Sequence, residues 1–203
     1  MININSFCCA IFGKSGAGKS SILKEYAAKL KYIKKIVVIS PVETLNNSIE
    51  IWNTDEIAPL MHKTNQGKNK KSILVRSTTI DDLDYIINMA EIGRNWLICV
   101  DEIFLYQKSK RLQEISQMRR HSNTSIVFTE RRPQLVDKRF LNESDLILSF
   151  QQREPNTLKY LSEYMECDNY DVKSTLQNLD KYHYLVYSSN EKYNGTIQVT
   201  KKG

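Results

Sequence analysis

Glycine, cysteine, histidine and long apolar runs are all scarce in this chain of 203 residues. Its four cysteines form no C-x-x-C pair: Cys8 and Cys9 share one apolar run, Cys99 lies in another, and Cys167 stands beside Asp168. That distribution argues against a disulfide framework and a cysteine-zinc site, and leaves buried reduced thiols. The three histidines, His62, His121 and His183, have no metal-ligand spacing. No apolar run approaches the roughly 20 residues that a membrane span needs. The opening Met1-Ile2-Asn3-Ile4-Asn5 is too polar for a signal peptide, so a soluble, unsecreted protein is expected. Charge, by contrast, is plentiful. The balance of 29 basic to 23 acidic residues gives +6, which suits an anionic partner such as nucleic acid and equally suits a surface rich in solvated lysines. With 41% hydrophobic residues, no repeat and no low-complexity tract, one domain spanning 1–203 is expected.

Of only seven glycines, three fall in one octapeptide, Gly13-Lys14-Ser15-Gly16-Ala17-Gly18-Lys19-Ser20. This reads G-x-x-x-x-G-K-S, the phosphate-binding loop of P-loop NTPases. An apolar run of strand length, 6–12, precedes it. Ile22, Tyr26, Leu30 and Ile33 follow at helical spacing, widened by Leu23 and Ala27. Strand, glycine loop and helix is the context the motif requires. The glycines let backbone N–H groups turn inward, and the helix start adds its positive dipole end. The stretch Gly13–Ser20, with Ser21 completing it, is therefore expected to hold a nucleoside triphosphate. Lys19 is expected to reach the β- and γ-phosphates and Ser20 to ligand Mg²⁺.

Alternation of strand-like and helix-like segments continues to residue 150. Strands are expected over 35–40, 72–76, 95–100, 124–129 and 145–150, and helices over 80–92, 109–121 and 135–140. Residues 44–52 fit no template clearly. The helix at Ile80 opens with Asp81 and Asp82 and is expected to stop at Gly93. Gly67-Lys68-Asn69-Lys70-Lys71 is a basic loop, either a solvated turn or a polyanion contact. Residues 154–179 read as helical, with Leu158, Leu161, Tyr164 and Met165 inward. Segments 182–187 and 196–200 read as a hairpin joined through 188–195. Tyr182, Tyr184 and Tyr187 either stack on bases or pack across strands. This pattern predicts an α/β three-layer sandwich, a mostly parallel sheet with helices on both faces, core 1–150, closed by a helical segment and hairpin over 151–203.

The strand 95–100 ends in Asp101-Glu102, which resembles a Walker B element. In that pattern the aspartate orients Mg²⁺ and the next glutamate polarises the attacking water. A P-loop coupled to such a glutamate resembles the additional-strand, catalytic-glutamate ATPases of the RecA type. The segment Arg119-Arg120-His121-Ser122-Asn123-Thr124-Ser125-Ile126-Val127-Phe128-Thr129-Glu130-Arg131-Arg132-Pro133 resembles the FtsK–HerA superfamily pattern of basic helix end, apolar strand and Thr-Gln-x-Pro. Small size and a closing hairpin resemble its viral branch, the genome-packaging ATPases of double-jelly-roll icosahedral viruses with an internal membrane. Glu130 departs from the usual Gln, and Arg131-Arg132 adds a residue before the proline.

What the resemblance implies is an ATP- and Mg²⁺-dependent motor packaging double-stranded DNA into a capsid, acting in the host cytoplasm or at a virion vertex. It implies a homo-oligomeric ring, a hexamer on the family's pattern, with a capsid or membrane vertex as a further partner. Thr129 matches the polar sensor that contacts the γ-phosphate or the water, and either Arg119 or Arg120 matches the finger reaching a neighbour's nucleotide. Other readings of the same motifs are an assembly or secretion ATPase resembling the zonula-occludens-toxin family, a nucleoside or nucleotide kinase, and a nucleotide switch with negligible turnover.

Overall fold

The computed structural model describes residues 6–30, 34–40, 45–165 and 171–188, and the backbone of 197–201. Strands β1 (Cys8–Phe12), β2 (Lys35–Ile39), β3 (Ser48–Ile51), β4 (Ser72–Val75), β5 (Trp96–Val100), β6 (Ser125–Glu130), β7 (Leu146–Phe150), β8 (His183–Ser188) and β9 (Ile197–Lys201) form one sheet. Their order is β3-β4-β2-β5-β6-β1-β7-β8-β9. The first seven in that row run parallel, and β8 and β9 are antiparallel. Strand β6 thus lies between the P-loop strand β1 and the acidic strand β5, the additional-strand arrangement that the resemblance implies.

The central strands are buried on both faces, as parallel strands must be, and read as unbroken apolar runs for that reason. Side chains alternate between two cores. Cys9 and Ile11 face a core closed by Ile22, Leu23 and Ala27 of α1 (Lys19–Leu30). Ala10 and Phe12 face the larger core under α2 (Ile57–Asn65), α3 (Ile80–Gly93), α4 (Lys110–Met118), α5 (Lys138–Asn142), α6 (Pro155–Tyr164) and α7 (Val172–Asn178). Among the described residues, helices therefore cover both faces, one on the first and six on the second.

Local chemistry sets the boundaries. Thr79 and Asp82 form a reciprocal capping box at the start of α3, and the Ser109 hydroxyl accepts from Leu112 N at the start of α4. The expected stop at Gly93 is corrected: α3 runs through Gly93, and the left-handed backbone falls on Arg94 (φ 51°) and Asn95 (φ 60°). Gly93 is needed for close approach instead. A Cβ there would sit 1.8 Å from Asn65 Oδ1, the atom that accepts from Trp96 Nε1.

Strand β3 falls within 44–52, the stretch that fits no template clearly, and α2 lies just beyond it, where the sequence pattern assigns no element. The helical reading of 154–179 resolves into α6 and α7. The expectations for Ile33, Cys167 and the hairpin turn at 189–195 lie outside the described residues. The hairpin pairing itself, His183 opposite Lys201 through Tyr187 opposite Ile197, is present.

Candidate active site

Parallel pairing brings distant polar residues into one row at the carboxyl edge of the sheet. Ile39 pairs with Val100, and Val100 with Phe128, so the next residues along, Ser40, Asp101 and Thr129, stand side by side. Their side chains are joined. Ser40 Oγ donates to Asp101 Oδ2 at 2.9 Å, and Thr129 Oγ1 donates to Asp101 Oδ1. Thr129 Oγ1 also accepts from Glu102 N at 3.2 Å. All three of the row are buried. Both Asp101 side-chain oxygens are thereby oriented by hydroxyls.

The P-loop curls above this row. Gly16 (φ 75°) and Gly18 (φ 114°) adopt backbone that side chains other than glycine resist. Gly13 serves a different need: a Cβ there would meet Phe150 Cβ at 2.9 Å on the adjoining strand β7. Lys19 Nζ donates to Gly13 O at 2.8 Å and Lys14 O at 3.1 Å, so its ammonium lies within the loop. Burial holds the Lys19 ammonium below its usual range, and the Asp101 carboxylate partly opposes that. An incoming phosphate restores what burial removes.

A cleft of about 310 Å³ gathers Ser15, Gly16, Gly18, Lys19, Ser20 and Ser21 on one wall and Asp101, Glu102, Arg131 and Tyr182 on the other. Lys14 and Ala17 line an adjoining cavity with Phe150. Hard oxygen donors on Ser20 and Asp101 facing one cleft are the donor set that suits Mg²⁺. Ammonium and glycine backbone around it suit a polyphosphate.

Glu102 is held in two ways. Its backbone is left-handed at φ 56°, an uncommon state for a residue with a side chain. Its Oε1 accepts from Arg131 Nη2 at 2.7 Å. The sequence pattern assigns Arg131 no role. Ser40 is missed as well, because only the register of β2 against β5 reveals it.

Two of the expected site residues are held by contacts within the chain. Thr129, expected to contact the γ-phosphate or the water, has its hydroxyl on Asp101 and Glu102 N, which orients the acidic pair. Arg119 is buried at the amino edge of the sheet, where Nη2 donates to Asp145 Oδ2 at 2.8 Å and Nη1 to Glu143 Oε2 at 3.4 Å. An arginine bound to two carboxylates of its own chain is not placed to serve a neighbour. Arg120 is exposed at the same edge. Of the tyrosines, Tyr184 packs on Phe150 with ring centroids 5.4 Å apart, and Tyr182 reaches the cleft.

The fold is shared with solved structures of low sequence identity. The genome packaging NTPase B204 from Sulfolobus turreted icosahedral virus 2, in complex with ATP-gammaS, is 20% identical, with a TM-score of 0.77 over 97% of this chain and 97% of that one. VirB4 of Thermoanaerobacter pseudethanolicus is 12% identical, with a TM-score of 0.67 over 96% and 88%. The N-terminal domain of zonular occludens toxin from Neisseria meningitidis is 12% identical, with a TM-score of 0.55 over 98% and 94%. No curated protein matches the sequence. The family described as Poxvirus A32 protein matches residues 2–147, which takes in the P-loop, the Asp101-Glu102 pair and the Thr129 strand end, and the chain belongs to that family.

Proposed function

We propose that this chain is an ATP-hydrolysing motor that moves double-stranded DNA into a viral capsid. The observation that carries it is the row Ser40–Asp101–Thr129 set against Lys19 and Ser20, with Glu102 beside it, in a chain of the poxvirus A32 family. The likeness to a genome packaging NTPase over nearly the whole chain supports the same reading.

The loop Gly13–Ser21 binds the triphosphate, and Lys19 neutralises its β- and γ-oxygens. Ser20 and Asp101 would hold Mg²⁺, which supplies charge neutralisation on those oxygens. Glu102 accepts a proton as the water oxygen attacks the γ-phosphorus; the bond to the β-phosphate oxygen breaks and ADP leaves with phosphate. Thr129 and Ser40 keep Asp101 in register through this. Arg131 sets the position of Glu102 and adds positive charge to the cleft.

A single domain over 1–203 works as one protomer of a ring, read as a hexamer. Arg120, exposed at the end of α4, is the remaining candidate to reach a neighbour. Host cytoplasm and the packaging vertex of the virion are the proposed locations, with the capsid or an internal membrane as partner. Among the described residues no helix is long and apolar enough to cross a membrane.

ATP hydrolysis by purified protein, with and without long duplex DNA and across protein concentration, tests this. The rate per protomer is expected to rise with both. Turnover that ignores DNA and concentration would sink the motor and direct attention to small phosphoryl acceptors. Turnover unmoved by Glu102→Gln would indicate a nucleotide switch.

A further inference from the structure

A second cleft, of about 620 Å³, opens at the other end of the sheet. Lys34, Lys35, Lys70 and Lys71 line it, with Asn69 and Asn95 between them. Among its described lining residues none is Asp or Glu, and none is aromatic. Four ammonium groups with amide donors and no carboxylate make an anion site by composition.

The cleft is built rather than incidental. Lys34 stands just before β2, and its Nζ donates to Asn123 O at 2.9 Å. Lys35 Nζ donates to Gly93 O at 2.6 Å, at the carbonyl end of α3. Both heads are held where they are. Burial pushes Lys34 down to about 8 and lowers Lys35, so a bound anion would relieve a cost already present. On the facing wall, Asn69 shapes the loop that carries Lys70 and Lys71. Its Oδ1 accepts from Lys71 N at 3.0 Å, and its Nδ2 donates to Lys71 O at 3.1 Å and Thr64 Oγ1 at 2.9 Å. Lys70 and Lys71 are exposed.

We propose that this cleft binds the sugar-phosphate backbone of duplex DNA, an inference that rests on the motor reading above. Ammonium groups contact phosphates without reading sequence, and a wall without aromatic rings offers no stacking platform for single-stranded bases. Place matters too. Strand β2 starts at Lys35 in the cleft and ends at Ile39, one residue before Ser40 on Asp101. A strand of five residues spans about 16 Å at ~3.3 Å per residue. Phosphate binding and hydrolysis then occupy opposite ends of one buried strand.

Anisotropy of a labelled duplex, in the presence of a non-hydrolysable ATP analogue and across salt concentration, tests the proposal. In Lys70→Ala/Lys71→Ala the slope of log affinity against log salt is expected to fall by about 1.8, at ~0.9 for each phosphate left without its lysine, and ATP hydrolysis without DNA is expected to stay unchanged. The control is Lys63→Ala/Lys68→Ala, which removes the same charge from neighbouring exposed positions outside the cleft; its slope is expected to move by less than half as much. Equal weakening in the two pairs would mean that net charge alone attracts DNA, and would overturn the inference. Wild-type binding that the cleft variant leaves untouched would overturn it while sparing the motor. No duplex binding by the wild type would remove both.

Discussion

Replacing Thr129 by Val keeps the shape and removes one oxygen. That oxygen donates to the Asp101 carboxylate and accepts from Glu102 N at 3.2 Å, in a fully buried setting. A hydrogen bond to a charged group contributes about 1.5–3 kcal/mol, and a buried N–H left without its acceptor costs about 1–3 kcal/mol. Partial relaxation places the combined effect at about 3 kcal/mol, a fall in Tm of about 6–12 °C at the ~2–4 °C per kcal/mol typical of a chain this long. Ser40 still holds Asp101 Oδ2, so the carboxylate stays in place with one oxygen free to turn. The Mg²⁺ concentration that half-saturates hydrolysis should then rise on the order of 10–100-fold, as when a residue behind a metal ligand is removed. Thermal melting and hydrolysis titrated with Mg²⁺ read both effects. Thr129→Ser keeps the hydroxyl and should keep the wild-type Mg²⁺ dependence. If Thr129→Val melts and titrates like the wild type while its KM for ATP rises, the hydroxyl contacts phosphate and the positioning argument is refuted.

Arg119→Ala should lower stability by about 3 kcal/mol, since it strips a buried charge from Asp145 and Glu143, yet leave the rate per folded protomer near wild type; urea denaturation alongside hydrolysis checks this, and a reduced rate at unchanged stability would restore a finger role. Glu102→Gln should retain nucleotide binding and lose about 10²–10⁴ in kcat, read by equilibrium binding and phosphate release. Arg131→Ala breaks an ion pair whose side chains are 57% and 35% exposed, so stability should move by less than ~1 kcal/mol. Its kcat should drop severalfold more than KM changes, with Arg131→Lys recovering part; equal changes in both would mean that Arg131 only binds nucleotide.

The legible parts of the site were those encoded within a few consecutive residues. The P-loop carries its phosphate chemistry in eight positions, and Asp101-Glu102 announces itself by ending an apolar strand. Ser40 carries no local signal, because its meaning comes from standing next to Asp101 across two paired strands. Arg119 misleads for a related reason: at a helix end it fits a dipole or a trans contact, and its true partner Asp145 lies 26 residues on and meets it only in the folded chain. Helix α2 was obscured by its length of nine residues and by Pro59 in its first turn, where the missing N–H costs nothing. Gly93 shows the same limit, since a glycine at a helix end fits a left-handed cap locally, and only the fold reveals Asn65 against it.

Glu130, where the resemblance leads one to expect Gln, has a structural reason to be acidic. It is buried, and its two carboxylate oxygens serve two separate N–H groups: Oε2 accepts from Phe104 N at 3.2 Å, and Oε1 from Arg131 N at 2.6 Å. Its carbonyl accepts from Gly13 N at 3.3 Å. One residue thus ties the turn after Glu102, the start of Arg131 and the mouth of the P-loop. A glutamine offers one oxygen, and its NH₂ would face an N–H donor where the second oxygen stood. Glu130→Gln should therefore cost about 1–3 kcal/mol for the N–H left unpaired. The effect falls at the turn after Glu102 and at Arg131, which pairs with Glu102, so kcat should fall while nucleotide affinity holds. Melting and single-turnover hydrolysis distinguish the outcomes. A Glu130→Gln protein as stable as the wild type, and hydrolysing at least as fast, would mean that the side chain faces the nucleotide in the working state and that its two backbone contacts are dispensable.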